Sequence, residues 1–135
     1  IEPEVDTVHI EVNDSMVTAS AVTNADPDTN IKITFSESMD NSSITVNTTS
    51  DTSCSGYTVQ VSFDSFNSCV QISSSPTASD NNKIYTFDPT GYLRDGKTYM
   101  VRVTSGAKDG SGISLSLYTT GSGFSCNGKL NSNCN

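Results

Sequence analysis

The sequence predicts an all-β protein, an antiparallel β-sandwich of about seven to nine strands. Apolar residues recur with period two over short runs, so each run has one apolar and one polar face. Charged residues make up only 16% of the chain, while Ser, Thr and Asn are abundant. This composition disfavours helices, because these small polar side chains compete for the hydrogen bonds of a helical backbone. The chain shows no convincing amphipathic helix.

The predicted strands follow one another along most of the chain, and turn sequences separate them. Strand-like alternation occurs at Val5–Val12, Ile31–Phe35, 43–46, 57–63, 69–73, 83–89, 97–105 and 113–119. In the run 83–89 the apolar residues Ile84 and Phe87 are slightly out of period. The intervening segments 24–30, 75–82 and 108–112 are rich in Pro, Gly, Asn, Asp and Ser, which is typical of turns and loops. Uneven strand lengths and long loops favour two packed sheets over a closed barrel.

The length of 135 residues fits one domain. After Thr119 the sequence becomes rich in Gly, Ser and Asn. We therefore expect a single sandwich domain at residues 1–124 and a polar C-terminal tail or linker at residues 125–135.

The net charge of −8 restricts the partners. An acidic surface repels phosphate backbones and anionic lipids, so nucleic acid is not expected as a partner. No run approaches the roughly 18 apolar residues of a membrane-spanning helix, so this segment is not expected to cross a membrane. The chain starts at Ile1 with no signal segment, and we interpret it as a mature or excised piece of an exported protein.

The four cysteines are interpreted as two disulfides. An even count in an acidic chain rich in Ser, Thr and Asn favours disulfides and export, and a single histidine leaves a zinc site short of ligands. Three pairings are possible. Closeness in sequence favours Cys54–Cys69 and Cys126–Cys134, with free or intermolecular thiols as the alternative for Cys126 and Cys134.

The most specific motif lies at residues 91–103, GYLRDGKTYMVRV. Leu93, Gly96 and Tyr99 precede an alternating strand, which predicts a tyrosine corner: Leu93 tucks under the sandwich edge, and the Tyr99 hydroxyl bonds to upstream backbone. Such a corner favours an Ig-like or fibronectin type III-like sandwich.

Three segments together resemble one family. They are ITFSESMD with SITV, then YTFDPTGYLRDGKTYMVRV, then GAKDGSGISL. Their order is similar to that of the bacterial Ig-like domain found in S-layer and other surface proteins. The chain departs from that family at Ser38, where Pro is frequent, and at Ile113, where the turn usually has Asn.

The resemblance implies a non-catalytic extracellular module of a bacterial surface or secreted protein, with a structural, spacer or adhesive role. Its expected partners are other domains of the same surface protein, or host and cell-surface proteins. The expected location is extracellular or at the cell surface, with a lipoprotein or outer-membrane attachment among the options.

No enzyme activity is expected from the candidate catalytic residues. His9 is the only imidazole available as a base, and its place in a strand indicates an outward-facing residue. Glu37 and Asp40 form the obvious carboxylate pair, but glycosidase sites lie in clefts with aromatic walls, and the chain has no Trp. The bend that holds this pair is better interpreted as structural, with Phe35 and Met39 pointing inward, Asp40 capping residues 41–43, and Glu37 facing solvent or paired with a neighbouring Lys.

A ligand-binding module at a sandwich-end loop is the alternative function. No cofactor is expected, with calcium as the one candidate, and its best ligands are Asp26 and Asp28 with backbone oxygens. Carbohydrate binding needs exposed aromatic rings, for which the candidates are Tyr57, Tyr85, Tyr92 and Tyr118.

Overall fold

A computed structural model describes residues 1–128 and Cys134. Eight strands are present in this part of the chain: β1 Val5–Val12, β2 Ser15–Thr18, β3 Ile31–Phe35, β4 Val59–Ser62, β5 Thr77–Ser79, β6 Ile84–Phe87, β7 Met100–Val103 and β8 Tyr118–Thr119. One short 3-10 helix spans Asn41–Ser43.

The strands form two antiparallel sheets. The larger has the order β2-β1-β3-β6-β5, and the smaller has the order β4-β7-β8. Ile33 of β3 pairs with Tyr85 of β6, and Val61 of β4 pairs with Val101 of β7. All four of these side chains are buried, so each sheet presents an apolar face to the core. The predicted all-β fold of seven to nine strands is confirmed.

Alternation along β1, β3 and β7 places the predicted residues in the core. The fully buried side chains include members of both sheets, among them Ile10, Ile31, Ile33, Phe35, Val61, Tyr85, Val101 and Val103. In β6, however, Tyr85 and Phe87 point inward and Ile84 is only half buried. The strand keeps strict period two, with Tyr85 and Phe87 on its core face.

Two strands, β2 and β5, were not predicted. A two-residue turn at Asn13 and Asp14 joins β1 to β2, and both residues have positive φ, 51° and 66°. Tight hairpins of this kind need positive φ at both turn residues, and Asn and Asp tolerate it better than most residues. The Asn-Asp pair could therefore have been used to predict this hairpin from the sequence.

Two predicted strands, 43–46 and 69–73, belong to no strand of either sheet. Residues 43–46 begin inside the 3-10 helix, although Ile44 and Val46 are buried. The segment 69–73 bonds to both sheets in turn. Its Val70 amide donates to Val61 of β4, at 2.7 Å, and its Ser73 amide donates to Asp88, directly after β6, at 2.8 Å. It therefore bridges the two sheets at one side of the sandwich.

The prediction of a strand over 113–119 was correct only at its end. Leu115 is 2% exposed, but Ile113 and Leu117 are 42% and 63% exposed. Only Tyr118–Thr119 pairs with β7. The alternation of apolar residues there does not correspond to a buried face.

Packing continues past residue 124, where the sequence analysis placed the end of the domain. Ser125 and Cys126 are buried. The Ser125 amide donates to Val22 at 2.8 Å, and the Ser125 carbonyl accepts from Ala25 at 3.0 Å. The rest of the predicted tail, residues 129–133 and 135, lies outside the described residues.

Candidate functional site

The cysteines are paired as Cys54–Cys69 and Cys126–Cys134. The first disulfide links the loop before β4 to the segment that bridges the sheets. The second holds Cys134 against the core, beside the fully buried Cys126. Both bridges fix loops, and neither presents a thiol for chemistry.

Leu93 and Tyr99 form the corner before β7. Their side chains are 3% and 2% exposed. The Tyr99 hydroxyl accepts a hydrogen bond from the Arg94 amide at 2.8 Å. Burial raises the pKa of Tyr99, with the Arg94 amide and charge acting in the opposite direction. The ring also packs between Phe63, at 5.4 Å, and Phe124, at 5.9 Å.

The bend after β3 is fastened by one apolar and one acidic side chain. Met39 is 2% exposed, and Asp40 Oδ1 accepts from the Ser42 amide at 3.0 Å, capping the 3-10 helix. The prediction of an inward Met39 and a capping Asp40 is confirmed. The prediction of a solvent-facing Glu37 was wrong, because Glu37 is half buried and its Oε2 is buried without a hydrogen-bond partner.

Asp26 and Asp28, the predicted calcium ligands, lie in very different environments. Asp26 is 5% exposed, and its two carboxylate oxygens accept from the Asn13 and Asp14 amides at 2.7 and 2.8 Å. Asp28 is exposed. The Asp26 carboxylate thus holds the β1–β2 turn, and both of its oxygens are already engaged. Calcium binding stays an untested prediction.

Other aspartates hold turns in the same way. Asp109 Oδ1 accepts from the Ser111 and Ile113 amides, each at 2.9 Å. Asp64 accepts from the hydroxyls of Ser62 and Ser68, and these bonds lower its pKa to about 2. Each carboxylate is used as a hydrogen-bond acceptor within its own loop.

No group of three or more potential metal ligands lies together within residues 1–128 and Cys134. His9 lies on β1, half buried, and its Nδ1 is buried without a hydrogen-bond partner. Burial, followed by the charge of Lys32, lowers the pKa of His9. The same residues contain no helix that is long and apolar enough to cross a membrane.

The predicted sugar-stacking tyrosines are not arranged as one exposed platform. Tyr85 is 1% exposed, Tyr57 and Tyr118 are half buried, and Tyr92 is 47% exposed. Only Tyr92 therefore offers a largely open ring.

A group of cation–aromatic contacts near the tyrosine corner was not predicted from the sequence. The Arg102 guanidinium lies 4.1 Å from the ring centre of Phe66. Arg94 and Lys97 lie over the Phe63 ring, at 5.7 and 5.3 Å. Three of the chain's seven basic residues thus gather beside two phenylalanines. The basic residues are far from the two phenylalanines in the sequence, so no local pattern predicted these contacts.

Comparison with solved structures gives the same architecture. The crystal structure of the S-layer protein rSbsC(31-844) is 20% identical with a TM-score of 0.58, over 93% of this chain and 14% of that one. The N-terminal part of the bacterial S-layer protein SbsC is 22% identical with a TM-score of 0.57, over 92% of this chain and 23% of that one. At these identities the similarity shows the fold.

The sequence comparisons place the family. No curated protein matches the chain in sequence. A family model described as a bacterial Ig-like domain matches residues 6–125. This match takes in every strand of both sheets apart from the first residue of β1. The chain therefore belongs to the bacterial Ig-like domain family.

Proposed function

We propose that this domain is a non-catalytic module of a bacterial surface or secreted protein, acting as a spacer or adhesive unit among other domains. It works outside the cell, where its partners are neighbouring domains of the same protein or molecules of another cell surface.

The proposal rests on the hydrogen bonds that the aspartate carboxylates accept. Five aspartates accept hydrogen bonds within turns and loops: Asp26, Asp40, Asp51, Asp64 and Asp109. Such side-chain bonds to the backbone stabilise turns. The carboxylates that could otherwise bind a ligand or act in catalysis thus stabilise the turns and loops of the domain.

The relatives in structure support a modular role. Each solved S-layer protein is much longer than this chain, which covers 13% of a structure described as SbsC domains 1–6. A single sandwich of this fold is therefore one unit among several in those proteins. The two disulfides agree with export, because disulfides persist in oxidising compartments.

The location is tested by thiol labelling of intact cells. A membrane-impermeant maleimide is applied to cells that express the native protein, with and without prior reduction. Export predicts labelling of the four cysteines only after reduction, and cleavage of the protein by external protease. A protein that is protected from protease and labels without reduction would contradict the proposal.

The spacer and adhesive roles are separated by a domain swap in the full-length parent protein. The domain is replaced by an unrelated Ig-like sandwich of equal length. If it acts as a spacer, surface display and cell adhesion both survive the swap. If it acts as an adhesive unit, display survives and adhesion is lost.

A further inference from the structure

A pocket of about 220 Å³ lies beside the Cys54–Cys69 disulfide. Its walls come from the loop before β4, from the segment 69–73 and from the corner before β7. Thr52, Ser68, Gln71 and Thr90 also line it. The Thr52 hydroxyl donates to the Asp51 carbonyl, the Ser68 hydroxyl to Asp64 and the Gln71 amide to the Thr48 carbonyl, so the hydroxyl oxygens of Thr52 and Ser68 remain as acceptors. The volume is below the roughly 300–1,000 Å³ of sites for drug-sized ligands, so it fits one ring-sized group.

One exposed aromatic side chain, Tyr92, and one cationic side chain, Arg94, line this pocket. Tyr92 is 47% exposed, and Arg94, one residue beyond the buried Leu93, is also exposed. The Arg94 guanidinium lies over Phe63, whose ring also lines the pocket, and Lys97 lies over the same ring. Two positive charges therefore lie beside the pocket, and one carboxylate, Asp64, bonds to Ser68 in its wall.

The loop that carries Phe63 and Phe66 is held by side-chain hydrogen bonds. Asp64 Oδ1 accepts from the Ser68 amide at 3.0 Å and from the Ser62 hydroxyl at 2.7 Å. Ser62 Oγ in turn accepts from the Phe66 amide at 3.0 Å. A site whose walls are fixed in advance loses little conformational freedom when it binds.

Thr52, in the wall of the pocket, has an unusual backbone conformation, with φ of 56°. Positive φ is costly for a β-branched residue, so the surrounding structure must hold it in place. Here the Cys69 amide bonds to the Thr52 carbonyl at 2.7 Å, next to the disulfide.

We propose that this pocket binds a terminal sugar residue that carries a carboxylate. The carboxylate pairs with the Arg94 guanidinium, which has the planar donor geometry suited to it. The apolar face of the sugar ring packs on Tyr92, and the hydroxyl oxygens of Thr52, Ser68 and Thr90 accept hydrogen bonds from the ring hydroxyls. A compact, hydroxyl-rich pocket fits a sugar end better than an extended acidic peptide, which needs a groove or a sheet edge.

The test is isothermal titration of the native domain with a glucuronate-terminated oligosaccharide, the neutral glucose-terminated oligosaccharide and an oligoglutamate peptide. We expect binding of the glucuronate ligand alone. Arg94→Gln should weaken it by about tenfold or more, because a charged hydrogen-bonded pair is lost. Tyr92→Ala should weaken it by several-fold. Amide chemical-shift changes should centre on Thr52, Ser68 and Gln71.

The control is Lys108→Gln, which removes the same charge at an exposed position elsewhere. It should bind as the native domain does, and thermal melts should show all three variants folded, because all three positions are exposed. Equal binding of the neutral sugar or the peptide, unchanged binding by Arg94→Gln, or no binding heat at all would overturn the inference. None of these outcomes bears on the proposed location, which the thiol labelling tests, or on the spacer role, which the domain swap tests.

Discussion

Met39→Ala is expected to destabilise the domain strongly. The Met39 side chain is 2% exposed and belongs to the main core cluster, where it anchors the bend between β3 and the 3-10 helix. Its backbone pairs with Asp109 and donates to Asn82 at 2.9 Å, and these bonds remain in the variant. The loss is therefore one of apolar burial plus a cavity, which for a buried Met costs about 2–5 kcal/mol.

The magnitude makes the effect measurable by urea unfolding. A loss of about 3 kcal/mol at a slope of roughly 2 kcal/mol per molar urea lowers the midpoint by about 1.5 M. The thermal midpoint should fall by about 10 °C, since 1 kcal/mol shifts a domain of this size by roughly 3–5 °C. The slope should stay unchanged, which shows that stability, rather than the unfolded state, has been altered.

Met16→Ala is the matched control. Met16 lies on the edge strand β2 and is 37% exposed, so the same truncation there should cost about 0.5 kcal/mol or less. If the two variants unfold at the same urea concentration, Met39 does not anchor the bend, and the reasoning from its burial is refuted.

Three further variants test other parts of the fold. Tyr99→Phe keeps the ring but removes the acceptor of the Arg94 amide, so urea unfolding should show a loss of about 1–2 kcal/mol; native stability would refute the corner's role. Replacing both Cys54 and Cys69 with Ala opens a loop of 15 residues and should cost about 3 kcal/mol by the same assay, and an unchanged midpoint would contradict this. The pKa of His9 is lowered from its ordinary 6.5 on folding, so the unfolded chain binds the proton more readily and stability should fall as the pH drops below about 6.5. His9→Gln should flatten that part of the curve of unfolding free energy against pH, and an identical curve would rule His9 out.

The sequence predicted strands best where both neighbours in the sheet are present. Ile31–Phe35 lies between β1 and β6, so its alternation corresponds to one buried face and one covered by polar residues. The alternation of Ile113, Leu115 and Leu117 looks the same in the sequence, but most of that segment has no strand partner. Periodicity reports which residues could face a core, and only the tertiary pairing decides whether a sheet is there.

The role of each acidic residue was harder to predict. Asp40 caps residues next to it in sequence, so local turn chemistry was enough to identify it. Asp26 accepts from amides 12 and 13 residues away, across a hairpin whose second strand was not predicted. Arg102 of β7 meets Phe66 in the loop after the neighbouring strand β4, where Ser65 and Phe66 have positive φ. Contacts set by hairpin register and unusual backbone angles leave no periodic trace in the sequence.

The Cys54–Cys69 bridge also has a mechanical consequence. A covalent link across 15 residues removes that stretch from the length that can be drawn out when the two ends of the domain are pulled apart. At roughly 3.3–3.6 Å per extended residue, about 50 Å of chain stays locked after every hydrogen bond has broken. Under shear, this disulfide therefore sets a fixed upper limit on how far the domain can lengthen.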